Sequence, residues 1–131
     1  TKMSPRGTDA SDTELEVLKA LWEIKSGTVR DVGEVLLRCG HQWAYTTIQT
    51  LLIRLQSKGL VTVRKVSTPH TYEPAVTREK LLGMRLKELA LNLCDGTPTP
   101  LVRALVSQET FSRDDIARFR NLLDELEGKQ G

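Results

Sequence analysis

Ile48, Leu51, Leu52 and Leu55 recur at i, i+3, i+4 and i+7, a spacing that places four apolar side chains on one stripe of a helix. At about 100° per residue the opposite side collects Thr46, Thr50, Ile53 and Ser57, flanked by Thr47, Gln49 and Arg54. That outer side holds hydroxyls, an amide and a guanidinium, and no carboxylate. A helix face that meets only water normally mixes Glu with Lys, so this one is shaped to press against something. The pattern predicts a helix over 44–58, stopped by Gly59 at a C′ position, with Leu60-Val61-Thr62-Val63 changing the period to that of a strand.

Two amphipathic segments precede it. Ser11-Asp12-Thr13-Glu14 is a capping box, and the helix it starts carries Leu15, Leu18, Leu21 and Trp22 on one face until Ser26-Gly27 ends it near Lys25. Thr28 caps the next helix, with Asp31 three residues on and Val29, Val32, Val35 and Leu36 facing inward. Gly40-His41-Gln42 forms the turn into 44–58. Residues 60–66 and 70–74 read as strands around Ser67-Thr68-Pro69, with Arg64 and Lys65 near the tip and Pro74 closing the second strand. Helices in tight sequence followed by a hairpin have the layout of a winged helix-turn-helix.

A boundary near Ala75 separates this part, 1–75, from an all-helical part, 76–131; residues 1–8 read as a flexible tail. Thr77 caps a helix with Leu82, Leu86, Leu89 and Leu93 on one face. Thr99 caps a second, with Pro100 in its first turn and Leu101, Val102, Leu105 and Val106 following. Ser112 with Asp115 starts a third, striped by Ile116, Phe119, Leu123 and Leu126. Helices so few and so short bury too little to stand alone, so the stripes are expected to close against a second copy of the chain. Leu82, Leu86, Leu89, Leu93, Leu101, Leu105, Ile116, Phe119, Leu123 and Leu126 are the candidates for that contact. The fold class is therefore mainly α with a small two-strand wing: a DNA-binding domain followed by a helical dimerisation domain.

Charge sharpens the picture. The net charge of +2 announces nothing, but residues 26–66 hold six bases (Arg30, Arg38, Arg54, Lys58, Arg64, Lys65) against two acids (Asp31, Glu34), as a phosphate-facing module would. Thr46, Thr47, Gln49, Thr50 and Ile53 are the candidates for base contact: Gln pairs with adenine, and Thr methyls or Ile pack on a thymine methyl. Thr28, Tyr45, Arg54, Arg64 and Lys65 are the candidates for phosphate contact. Tyr45 could instead pack inward, and Trp22 and Trp43 read as packing residues rather than stacking platforms. The competing reading is a winged-helix protein-interaction module that no longer touches DNA, for which the apolar Ile53 leaves room.

Other chemistries find little support. Cys39 and His41 lie two apart, yet no second pair at ligand spacing completes a zinc tetrahedron, so no metal and no cofactor is expected. Two histidines and the absence of a nucleophile motif or a Gly-rich phosphate loop leave nothing to assemble into a catalytic site, so the chain does not read as an enzyme. Two distant cysteines without a CxxC pair suit a reduced, cytosolic protein, and Cys94 reads as a small buried hydrophobe. No apolar run is long enough for a membrane span.

Thr13-Glu14-Leu15-Glu16-Val17-Leu18-Lys19-Ala20-Leu21-Trp22, Thr28-Val29-Arg30-Asp31-Val32, the Trp43-Ala44-Tyr45-Thr46-Thr47 stretch and Lys58-Gly59-Leu60-Val61 resemble the penicillinase-repressor (BlaI/MecI-type) family. Asp95-Gly96 before Leu101-Val102, and Asp114-Asp115-Ile116 before the closing leucine helix, extend the resemblance over roughly residues 11–127. It implies a dimeric bacterial repressor on a palindromic DNA operator. In several members, release follows cleavage of the repressor once a membrane-embedded sensor protease detects an antibiotic. The resemblance thus implies a sensor protease as a candidate partner, against which stands the family's scissile Asn-Phe bond falling at Ala104-Leu105 here. The CxC pairs of the copper-responsive branch are missing from Glu127-Gly128-Lys129-Gln130-Gly131. His70 stands where the family commonly has Tyr, and Cys94 where it commonly has Phe.

Overall fold

The computed structural model of the chain describes residues 10–66 and 68–130, so the expected flexible tail at 1–8 lies outside the described residues. The order is α1 (Asp12–Ile24), α2 (Val29–Arg38), α3 (Tyr45–Ser57), β1 (Val61–Arg64), β2 (Thr71–Pro74), α4 (Arg78–Leu93), α5 (Thr99–Gln108) and α6 (Arg113–Gln130). Two compact units result, one running to Leu89 and the other from Ala90.

In the first unit the helix starts are set locally. Ser11 and Glu14 close a capping box on α1, and Thr28 and Asp31 close another on α2. The helix ends are equally specific. Gly40 (φ 93°) and Gly59 (φ 80°) take the left-handed conformation just past α2 and α3. The amides of His41 and Leu60 reach back to the carbonyls of Leu36 and Leu55 at 2.8 and 3.0 Å, and those of Gly40 and Gly59 to Leu37 and Gln56, which makes both ends Schellman motifs. α1 ends one residue earlier than the sequence suggests, on Lys25 (φ 75°) rather than at Ser26-Gly27.

The wing is a two-stranded antiparallel sheet in which Val61 faces Pro74 and Val63 faces Tyr72. Gly27 exchanges two backbone hydrogen bonds with Tyr72, 2.9 and 2.7 Å, which fastens the loop between α1 and α2 to β2. The core is one cluster built from Val17, Leu18 and Leu21 of α1, Val32 and Leu36 of α2, the Ile48-Leu51-Leu52-Leu55 stripe of α3, and Leu60, Val61 and Tyr72 of the wing.

The sequence places a boundary near Ala75, whereas the first unit also takes in the start of α4. Thr77 caps that helix, Leu81 is buried in the cluster, and Arg85 Nη2 donates to the carbonyl of Ala10 at 2.8 Å. Trp22 donates its indole N–H to Val76 O at 2.9 Å, with Arg78 over its ring, so this tryptophan ties the wing's exit to α1.

The second unit is entirely helical. Phe111 and Phe119 meet edge to face at 5.1 Å, and Ser112 and Asp115 cap α6 as expected. Thr99 is a correction: the cap of α5 is Pro98, and Thr99 and Pro100 lie inside the first turn, with no side-chain cap bond. Ala90 is the one buried residue of this unit among those described. Leu93, Leu105, Leu123 and Leu126 are exposed, and Leu101 and Cys94 are half-buried. No described helix is long and apolar enough to cross a membrane.

Candidate nucleic-acid interface

The third helix is held from below and bare on top. Its stripe of Ile48, Leu51, Leu52 and Leu55 is buried, which leaves Thr46, Thr47, Thr50, Ile53 and Arg54 exposed and Gln49 half-buried. Ile53 is 52% exposed, an apolar side chain among hydroxyls with nothing above it. Tyr45 is 55% exposed, so its ring does not join the core.

The start of this helix differs from the starts of α1 and α2. Its N-cap, Ala44, supplies no side-chain bond, and its first turn carries no acid. The positive end of the helix dipole and the first amides therefore face outward without a carboxylate to satisfy them. The second helix offers less than the sequence suggested. Thr28 N donates to Asp31 Oδ2 at 2.9 Å, and the Thr28 hydroxyl oxygen accepts from Asp31 N at 3.1 Å. Only the hydroxyl proton of Thr28 is left for an outside acceptor.

The wing stands beside the start of α3. Val29, Tyr45, Gln49, Thr68, Pro69, His70 and Tyr72 line a cleft of about 220 Å³ between them, and its polar groups are hydroxyls, an amide and an imidazole. Arg64 and Lys65 are exposed at the end of β1.

Electrostatics divides the six bases of residues 26–66. Arg38 pairs with Glu23 at 3.0 Å, Arg64 with Glu73 at 3.7 Å, and Lys58 with Glu14. All three acids lie outside the stretch, so sequence counting saw the cations and not their partners. Among the described residues no carboxylate lies within ion-pair distance of Arg30, Arg54 or Lys65. These three are the cations most free to meet phosphate.

Glu14 is the feature the sequence reading missed. Local spacing marks it only as half of a capping box, yet it is 2% exposed and its carboxylate binds Lys58 across 44 residues. Burial pushes this carboxyl up, but the Lys58 hydrogen bond, the Ser11 amide and the charges of Lys58 and Arg54 outweigh burial and hold it below the ordinary 4.5. At the turn before α3, His41 lies 3.4 Å from Glu16 and stacks against Trp43 at 4.7 Å between ring centres, which accounts for both aromatic side chains as packing. Cys39 is exposed, and no group of three or more His, Cys, Asp or Glu that could hold a metal occurs among the described residues.

The family described as penicillinase repressor matches residues 10–125. The chain is 32% identical over 126 residues to the transcriptional regulator BlaI of Mycobacterium tuberculosis (strain CDC 1551 / Oshkosh), covering 95% of this chain and 89% of that protein. It is 26% identical over 120 residues to the penicillinase repressor of Bacillus licheniformis, covering 92% and 93%. Among solved structures it is similar to the monomeric form of Bacillus licheniformis BlaI in complex with the blaP half-operator. That likeness has 34% identity and a TM-score of 0.46, and covers 54% of this chain and 85% of the other.

Proposed function

The chain belongs to the penicillinase repressor family, and from that premise we propose that it represses transcription by binding a DNA operator through the exposed side of α3. The observation that carries the reading is the composition of that side: Thr46, Thr47, Thr50, Ile53 and Arg54 are exposed with no acid in the helix. In the major groove, Gln49 pairs with an adenine edge, the Thr methyls and Ile53 pack on thymine methyls, and the hydroxyls meet bases or adjacent phosphates. Tyr45, Arg54, Thr28 and the wing residues Arg64 and Lys65 hold the backbone and so fix the register in which the bases are read.

Residues 76–131 complete the reader by pairing two copies. The exposed stripes of α4, α5 and α6 are too apolar to remain in water and match each other in kind, as a twofold contact requires. Two α3 helices then meet half-sites about one helical turn apart, ~34 Å, on a palindromic duplex.

The test is selection of bound duplexes from a random pool, followed by mobility-shift titration at several salt concentrations. An enriched palindrome whose affinity falls steeply with salt is the expected result, with Arg54→Ala lowering both the affinity and the salt slope. No enriched sequence, with a protein partner retained through residues 46–54 despite competing DNA, would replace this reading with that of a protein-interaction module.

A further inference from the structure

We propose that Glu14 is a positioning residue for the DNA-reading helix: its buried carboxylate holds Lys58 at the end of α3 and thereby sets how residues 46–54 meet the duplex. The inference rests on the reading of α3 given above and deepens it.

Glu14 is the one buried charged residue among those described. One oxygen, Oε1, serves two distant parts of the chain: it accepts from the Ser11 amide at 3.0 Å, at the start of α1, and from Lys58 Nζ. Lys58 is the C-cap residue of α3, immediately before the Schellman turn at Gly59. The core that α1 shares with α3 is aliphatic, with Val17, Leu18 and Leu21 of α1 and Ile48, Leu51, Leu52 and Leu55 of α3. Such contacts are strong but not directional, and packed helices of this kind tolerate small slips and rotations. A buried ion pair adds little to stability over an apolar pair of similar volume; its best-attested use is to fix a register. Here it fixes one end of the helix whose other side must lie in the groove, where a reading constellation has to be held to within about half an ångström.

The same geometry removes Lys58 from the phosphate-binding set. Its ammonium is turned onto Glu14, so it orients the helix rather than gripping DNA.

The test uses the full chain with Glu14→Gln, Lys58→Met and the double variant. Each is titrated with a palindromic duplex selected by the parent protein and with a random-sequence duplex. The expected result is that each single variant weakens binding to the selected duplex about tenfold, the worth of roughly one correctly read base pair. With Lys58→Met, binding to the random duplex and the salt slope keep their parental values, because no phosphate contact is lost; with Glu14→Gln, which releases the Lys58 ammonium, neither falls below the parental value. The double variant is expected to fall no further than the weaker single one. Folded variants that keep the parental ratio of selected to random affinity overturn the proposal, as does an equal loss on both duplexes, the mark of a fold merely weakened. Should Glu14→Gln fail to fold, Lys58→Met decides alone, since that side chain is 26% exposed. A parent protein with no preference for any duplex refutes the DNA reading itself, whereas a preferring parent with unaffected variants refutes only the positioning role.

Discussion

The first and last helices carry the same kind of apolar stripe and meet opposite ends. On α1, Val17, Leu18 and Leu21 are sealed completely, between α2, α3 and the wing. On α6, Ile116, Phe119, Leu123 and Leu126 remain between 40% and 61% exposed. The spacing is helical in both, and the residues are equally apolar. What differs is that the unit ending at Leu89 brings a second and third layer to its own stripes, while the unit beginning at Ala90 does not. A stripe states which face seeks burial; it does not state which surface supplies it. Where the chain leaves the surface unsupplied, a second chain is the natural source.

The largest test of this contrast is a matched pair of truncations. Leu52→Ala on α3 removes a side chain with no exposure at all and should cost about 2–5 kcal/mol in chemical denaturation. Leu123→Ala on α6 should cost roughly 0.5 kcal/mol or less in a sample dilute enough to be monomeric, and more as concentration rises. Equal losses at both sites in dilute sample would mean that α6 is buried within its own chain.

Introducing charge sharpens the same point. Leu123→Glu together with Leu126→Glu should turn a sedimenting dimer into a monomer while circular dichroism of the first unit holds. Binding to a selected palindrome should fall roughly a hundredfold, since two linked half-site contacts become one. A double variant that still sediments as a dimer would place the contact elsewhere.

The contrast also marks what could be read along the chain. The capping boxes at Ser11 and Thr28, the stripe of α3 and the stop at Gly59 depend on residues within one or two turns, so local spacing sufficed. Leu81 in the core and Arg85 on the carbonyl of Ala10 are contacts across the length of the unit, and nothing around Ala75 announces them. Thr99 has the right side chain for a cap, but Pro98 takes the position. The basic excess of residues 26–66 was legible as a count. The partners of Arg38, Lys58 and Arg64 lie outside that window, at Glu23, Glu14 and Glu73.

Of those partners, Glu14 ties the sealed core to acid. Its carboxyl titrates below the ordinary 4.5 in the folded chain, so the folded state holds it ionised more firmly than the unfolded state does. The stability this adds is present in full above the ordinary carboxylate range and is lost as pH falls through the lower, folded value. Unfolding followed by near-ultraviolet circular dichroism between pH 6 and acid should therefore show a falling limb below about 4.5, and Glu14→Gln should flatten it. A variant with the parental acid limb would assign the loss to other carboxylates.

The smallest expected effect lies at the wing, where the paired and free cations can be told apart. Arg64 and Glu73 sit diagonally across the hairpin at 3.7 Å, and their side chains are 67% and 40% exposed. A pair so wet gives little to stability, so Arg64→Ala should shift unfolding by roughly 0.5 kcal/mol or less. Its effect on DNA is a separate matter. In the free chain Glu73 draws the guanidinium along the sheet; a phosphate at the wing would have to draw it away, offsetting part of that contact. Arg64→Ala should thus cost less affinity than Arg54→Ala, whose cation is in no ion pair among the described residues and feels Glu14 only at longer range, and should lower the salt slope by about one. Glu73→Gln should do the reverse, strengthening binding slightly by releasing Arg64. If Glu73→Gln leaves affinity and salt slope untouched while Arg64→Ala lowers both, Arg64 reaches phosphate without leaving its partner; if neither variant changes either, the wing does not touch the duplex and α3 reads it alone.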